Sequence, residues 1–259
     1  TPGARIAKSK SEMKAALDRG DVTLLHSIEG GHALGDRIEN VEDFFRRGVC
    51  LITLAHFYRN EIVSPVEGIP HDLWFRKLGC FKDPKDLTQE LSDFGRDVVE
   101  RMVDLGILID LTHSTPRARQ EVYDICGKRR PLVFSHVGVS ALADHPMNPT
   151  DEEIRTVADT GGVIGAIFMP YWLSRINPRG GLELVIETMK HLRKVGGIEC
   201  IGIGSDFDGF TDPLDDLKDS SEMPRLTRLL LRSGFSEVEV GKILGGNVMR
   251  VLEEGWGFE

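Results

Sequence analysis

Six short runs of apolar, β-branched-rich residues recur along this chain with helical patterns between them, and that alternation restricts the fold more than any other feature. The runs lie at 22–28 (VTLLHSI), 49–55 (VCLITLA), 107–112 (ILIDLT), 131–135 (PLVFS), 162–168 (GVIGAIF) and 199–205 (ECIGIGS). Nearly continuous apolar runs of this length suit strands buried on both faces of a parallel sheet. Between them, Leu91, Phe94, Val98, Val99, Met102 and Leu105 form one helical stripe, and Leu182, Val185, Ile186, Met189 and Leu192 form another. Thr150 with Glu153 three residues on is a capping-box pattern. Ser236 opens a helix near the C-terminus, and a last helix covers 246–254. Strand–helix alternation means an α/β fold with right-handed crossovers. No linker, low-complexity stretch or close repeat interrupts it, so residues 1–259 read as a single domain.

The connections are unequal. Gly48 and Gly106 nearly fill two of the helix-to-strand turns. The strand-to-helix connections are long: about 30 residues (57–88) after the second run, and about 12 to 15 after each of the last three, lengths that are usually functional inside a compact domain. All lie at the C-terminal ends of strands, where a (β/α)8 barrel or an open α/β sheet carries its active site.

The residues that end the strands are chemically loaded. The first run ends in Glu29, followed by Gly30-Gly31; the second in His56, the third in His113, the fourth in His136 and the sixth in Asp206. A lone histidine at a strand end is commonly a hydrogen-bonded structural group. Three of the eight histidines at three strand ends, with two carboxylates on the same rim, are better explained as ligands and acid–base groups of a Zn²⁺-type centre. Because side chains alternate along a strand, Asp206 shares a face with Gly204 and Gly202, which would leave room beside it. His26 falls on the face opposite Glu29 and reads as structural. His32, just past the Gly-Gly turn, could steady a ligand carboxylate. His71, His145 and His191 receive no role.

Composition excludes several alternatives. With 41% hydrophobic and 28% charged residues, the chain is an ordinary globular sequence, and its net charge of −9 argues against a general binder of nucleic acid or anionic membranes. No apolar run approaches the roughly 20 residues of a membrane span. Cys50, Cys80, Cys126 and Cys200 are dispersed without a CxxC pair, so they read as free, buried thiols of a reducing compartment rather than as a disulfide framework or a thiolate zinc site. No signal peptide is visible, and a cytoplasmic location is the expectation.

The ordered motifs IEGGHAL (28–34), LITLAH (51–56), GILIDLTH (106–113), PLVFSH (131–136) and GIGSDFDG (202–209), with GNVMRVLEE (246–254), resemble the membrane (renal) dipeptidase family of zinc peptidases, a peptidase family (M19) of amidohydrolase-like metal hydrolases. The resemblance implies a (β/α)8 barrel with two zinc ions at its C-terminal rim. It implies that Glu29 bridges both ions, that His113 and His136 bind the second, that His56 contacts the substrate carbonyl, and that Asp206 takes a proton from the attacking water. Two metal ions about 3.5–4 Å apart activate water and polarise a carbonyl in such sites.

Two departures shape the expectation. The family begins with a strand carrying a His-x-Asp pair for the first zinc, then a second strand, and nothing before Glu29 matches. The six runs are therefore strands three to eight of the barrel. The chain starts at Thr1-Pro2-Gly3 without Met, and the first two strands are expected in a segment outside this sequence. Two zinc ions are expected if that pair exists upstream, and one, held by Glu29, His113 and His136, if the chain is complete. Second, the family's carboxylate-binding Arg, eleven residues after the fourth-strand His, is replaced by Met147, with Asn148 beside it, at the expected substrate-binding position. Met cannot make a bidentate carboxylate contact; Arg175 or Arg179 could take that part. The leading expectation is a zinc-dependent dipeptidase acting on small amides, and the family resemblance suggests a homodimer. The alternatives are a related hydrolase of a non-dipeptide amide, lactone or ester, and a metal-binding homologue without catalysis.

Overall fold

The computed structural model describes residues 3–57, 59–66, 87–177, 179–210 and 213–257. Cys80, His71 and most of the long connection after the second run lie outside the described residues. The chain divides into two compact units, Thr1–Pro131 with Val251–Glu259, and Leu132–Arg250.

The first unit runs β1 (Ala4–Ala7), α1 (Lys10–Asp18), β2 (Val22–Glu29), α2 (Glu39–Arg46), β3 (Val49–Thr53), α3 (Asp93–Leu105), β4 (Leu108–Asp110) and α4 (Pro116–Cys126). Its strands pair in parallel and in chain order, β1 on β2, β2 on β3 and β3 on β4. Helix starts are set locally. Ser9, Ser92 and Thr115 are N-caps whose side chains accept the Glu12, Gly95 and Ala118 amides, and Pro116 follows its cap directly. Helix α3 buries Val98, Val99, Met102 and Val103 and ends at Gly106, whose left-handed φ of 76° satisfies the last turn and lets the backbone at Gly257 approach.

Two expectations change here. There are seven strands among the described residues, because β1 precedes the first apolar run. Its sequence, ARIA, is four residues long and mixes a charge with small residues, so it carries no apolar run to detect. Strand β2 is not buried on both faces: Val22 and Leu24 are 65% and 50% exposed, with Ile6 of β1 exposed opposite Leu24, while α1 covers the other face through Met13 and Ala16. His26 shares the open face and is exposed. Strand β3, by contrast, is buried except for a half-buried Leu51.

The second unit runs β5 (Leu132–Val137), α5 (Asp151–Asp159), β6 (Val163–Ala166), α6 (Pro170–Leu173), α7 (Leu182–Gly196), β7 (Ile201–Ile203), α8 (Met223–Arg232) and α9 (Glu237–Gly241), before α10 (Asn247–Gly255). Strands β5, β6 and β7 pair in parallel. The Thr150–Glu153 capping box is complete in both directions, and Ser236–Glu239 makes a second. Gly204, at the β7 end, does not leave room, contrary to the expectation, and Gly165 of β6 is packed as closely. A Cβ on Gly165 or Gly204 would each lie 2.0 Å from the Ser135 carbonyl oxygen, so glycine there permits strands to approach rather than opening a space.

Cys50, Cys126 and Cys200 are free and buried, and burial pushes the Cys50 and Cys200 thiols up to about 12, which keeps them protonated and unreactive. No helix among the described residues is long and apolar enough to cross a membrane.

Candidate metal centre

In the first unit, three strand ends bring one carboxylate and two imidazoles together. Strand β2 ends at Glu29, but its pairing with the β3 segment continues, the Gly30 amide donating to Thr53 O and the Gly31 amide to Leu54 O, both at 3.1 Å. Both glycines are closely packed: a Cβ on Gly30, where φ is 98°, would meet His32 Nε2 at 2.7 Å and His56 Cβ at 3.1 Å, and one on Gly31 would meet the β3 segment at Leu54 O, 2.7 Å away. The Gly-Gly pair therefore lets Glu29 sit close to His56.

His113 follows β4 in the left-handed region, with φ of 66°. A non-glycine residue there costs on the order of 1 kcal/mol and persists only where its surroundings over-determine it. They do. The Val66 amide donates to His113 O at 2.7 Å, the Ser114 amide to Leu111 O at 3.2 Å, and the buried Arg119 guanidinium to Ser114 O at 3.1 Å.

The resulting geometry is compact. His113 Nε2 lies 3.2 Å and His56 Nε2 3.7 Å from Glu29 Oε1, and one ligand atom from each of the three falls within 4.8 Å of the others. In a tetrahedral zinc site with bonds near 2.0–2.2 Å, neighbouring ligand atoms stand about 3.4 Å apart. The cluster therefore fits a single divalent ion, and its one-carboxylate, two-imidazole donor set suits zinc. Exposure is graded: the side chains of His113, His56 and Glu29 are 2%, 25% and 42% exposed. Phe57 packs its ring 4.1 Å from His56 and 5.4 Å from His113, an apolar wall that the sequence reading passed over. His56, expected at the substrate carbonyl, thus stands among ligand atoms.

The second unit holds the remaining site candidates. His136 is nearly buried on β5, its Nδ1 2.8 Å from Ser135 Oγ, and its ring stacks at 6.3 Å on Trp172, which stacks in turn on His145 at 6.0 Å. Neither Trp172 nor His145 was singled out from sequence; they lie in loops and a short helix with no periodic signal. Asp206 and Asp208 both take left-handed φ, 54° and 67°, in a turn closed by the Gly209 amide on Asp206 O at 3.0 Å. Asp206, Asp208 and His113 are the only non-glycine residues with positive φ among the described residues, and two of the three are strand-end candidates.

Met147 and Asn148, the expected substrate-binding pair, lie buried in the loop after β5. Met147 is fully buried. The Asn148 side chain is spent on backbone: Oδ1 accepts from the Gly138 amide at 2.8 Å, and Nδ2 donates to Ala143 O at 2.9 Å and Trp172 O at 2.8 Å. The Asn148 side chain thereby clamps the loop after β5. Asn148→Ala would leave three buried backbone groups without these bonds, and should cost at least about 2 kcal/mol in urea unfolding, since each unmade buried hydrogen bond costs roughly 1–3 kcal/mol. Arg175 and Arg179 are exposed.

Parallel strands that gather a carboxylate and imidazoles at their carboxyl ends define an α/β protein with a candidate transition-metal centre. The sequence pattern of the membrane dipeptidase family, peptidase family M19, matches residues 2–255, and the chain belongs to that family. It is 31% identical over 250 residues to dipeptidase tcpJ of Claviceps purpurea, covering 96% of this chain and 55% of that protein. It resembles the crystal structure of the probable dipeptidase PvdM from Pseudomonas aeruginosa with a TM-score of 0.85 at 24% identity, over 97% of this chain and 74% of that one. It also resembles a metallo peptidase from Rhodobacter sphaeroides, liganded with a phosphinate mimic of the dipeptide L-Ala-D-Ala, with a TM-score of 0.85 at 21% identity, over 98% and 69% of the two chains. These two structural likenesses bear on the fold alone. The chain spans about half the length of the curated relatives it matches.

Proposed function

We propose that this protein is a zinc-dependent dipeptidase. The observation that carries the reading is the approach of His113 and His56 to one Glu29 oxygen at 3.2 and 3.7 Å, in a chain of the membrane dipeptidase family. Glu29, His56 and His113 would hold the ion. A bound zinc ion would supply Lewis-acid polarisation of the scissile carbonyl and a lowered pKa for water. Asp206, in the turn after β7, would be the acid–base group that the family resemblance implies. The Phe57 ring would give the bound substrate an apolar wall.

A second reading, a non-dipeptide amide, lactone or ester, is favoured by one observation: Met147 is apolar and buried where a carboxylate-binding Arg is expected. A panel of dipeptides, N-acyl amino acids and lactones separates the two, assayed after chelation and after zinc is restored, with a phosphinate dipeptide mimic as inhibitor. Dipeptide turnover that needs zinc and is blocked by the phosphinate supports the dipeptidase. Turnover confined to the lactones or N-acyl compounds supports the second reading, and no zinc-dependent turnover of any of them overturns both. Metal analysis of the same sample gives the number of ions per chain.

A further inference from the structure

Asp110 is a fully buried carboxylate on β4, in the middle of the apolar run 107–112, and the proposed chemistry gives it nothing to do. A buried charge is retained only where its oxygens are bonded. Here Oδ2 accepts from Thr53 Oγ1 at 2.6 Å, and Oδ1 accepts from the Thr112 amide at 3.1 Å. Thr53, at the end of β3, is buried as well.

The placement of this pair is regular. The strand register sets Glu29 beside Thr53 and Thr53 beside Asp110, so the three oxygen-bearing side chains occupy one row across β2, β3 and β4. Thr53 stands three residues before His56, and Asp110 three before His113. The amide bound by Asp110 is that of Thr112, the residue from which the chain enters the left-handed turn at His113.

We propose that the Thr53–Asp110 hydrogen bond is a positioning bracket for the candidate metal centre. It ties the ends of β3 and β4 at the separation at which His56 and His113 both face Glu29, and through the Thr112 amide it fixes the turn that aims the His113 ring. Both are positioning residues, since neither is among the clustered ligand atoms. The inference rests on reading Glu29, His56 and His113 as a metal-binding cluster.

Paired substitutions test it. Thr53→Val keeps the shape of the side chain and deletes the hydroxyl; Thr53→Ser keeps the hydroxyl and deletes a methyl. A role in packing alone ranks Val above Ser, whereas a positioning bracket ranks Ser above Val. Two readouts are taken: Zn²⁺ affinity by competition with a chromophoric chelator, and the ¹⁵N imidazole signals of His56 and His113 in metal-free protein. Thr53→Val is expected to weaken zinc binding by about tenfold or more, as changes behind a metal ligand do, and to shift or broaden the His113 signals. Thr53→Ser should stay close to the parent in both. Should Thr53→Val fail to fold, Thr53→Ala, which also deletes the hydroxyl that Asp110 Oδ2 accepts from, serves in its place with the same expected loss. Unchanged affinity and unchanged imidazole signals in Thr53→Val, with zinc bound by the parent, overturn the bracket. A parent that binds no zinc, with His113 signals that still respond to Thr53→Val, overturns the metal reading and leaves the bracket standing. A parent that binds no zinc, with unresponsive signals, overturns both.

Discussion

Glu29→Gln should remove at least about a hundredfold of any zinc-dependent turnover and most of the zinc affinity, beyond the roughly 10–100-fold typical of changes outside the ligand shell. The substitution keeps the shape of the side chain and deletes its charge. Both imidazoles of the cluster are measured from the same Glu29 oxygen, at 3.2 and 3.7 Å, so this one carboxylate organises the centre. The expected effect on folding is small by comparison. Glu29 is 42% exposed, and contacts between partly exposed charged groups are worth about 0–1 kcal/mol. The metal-free variant should therefore melt close to the parent while losing zinc in equilibrium dialysis. A large fall in melting temperature with zinc affinity retained would count against the assignment.

The second large effect concerns folding. Gly204→Ala should destabilise the protein by about 3 kcal/mol or more, at the upper end of the usual cost of overpacking, because the obstacle is main chain. An added Cβ would lie 2.0 Å from Ser135 O, 2.9 Å from Gly165 O and 2.8 Å from His136 Cα, and none of these can swing aside like the end of a long side chain. For a chain of this size, that loss corresponds to a fall of about 6–12 °C in melting temperature. The same displacement would move Ser135 and His136, so His136 should be disturbed even in the folded fraction. Gly241→Ala is the control: nothing lies within 4 Å of a Cβ there, and the residue is in helix α9. That change should be neutral or stabilising by up to about 1 kcal/mol.

How far the sequence discloses these features depends on the kind of signal each residue leaves. Strands β3 to β7 are legible because a buried parallel strand is a run of apolar residues, and β2 because its run is apolar although one face is open. Strand β1 was not, because ARIA has an arginine within four residues and one face open to water. The open face of β2 was missed for a related reason: Val22 and Leu24 are apolar, and apolarity alone does not reveal that nothing among the described residues covers them. Glu29, His56 and His113 could be picked out as chemical residues at strand ends, and the structure brings those three together. The close packing at Gly204 could not be read, since glycine marks both an empty space and a tight approach. Asp110 could have been noticed, because an acid inside an apolar run needs a partner; that its partner is Thr53 depends on strand register, which the sequence does not display. Met147 was placed by counting from His136, and counting does not tell whether a loop residue turns inward.

The graded exposure of the cluster has a kinetic consequence. With Glu29 most accessible and His113 sealed beneath it, an ion exchanging with solvent would arrive at the carboxylate and be handed inward, shedding its hydration shell in stages. Departure would follow the reverse order. A chelator in solution would meet the Glu29 carboxylate before the buried His113 imidazole.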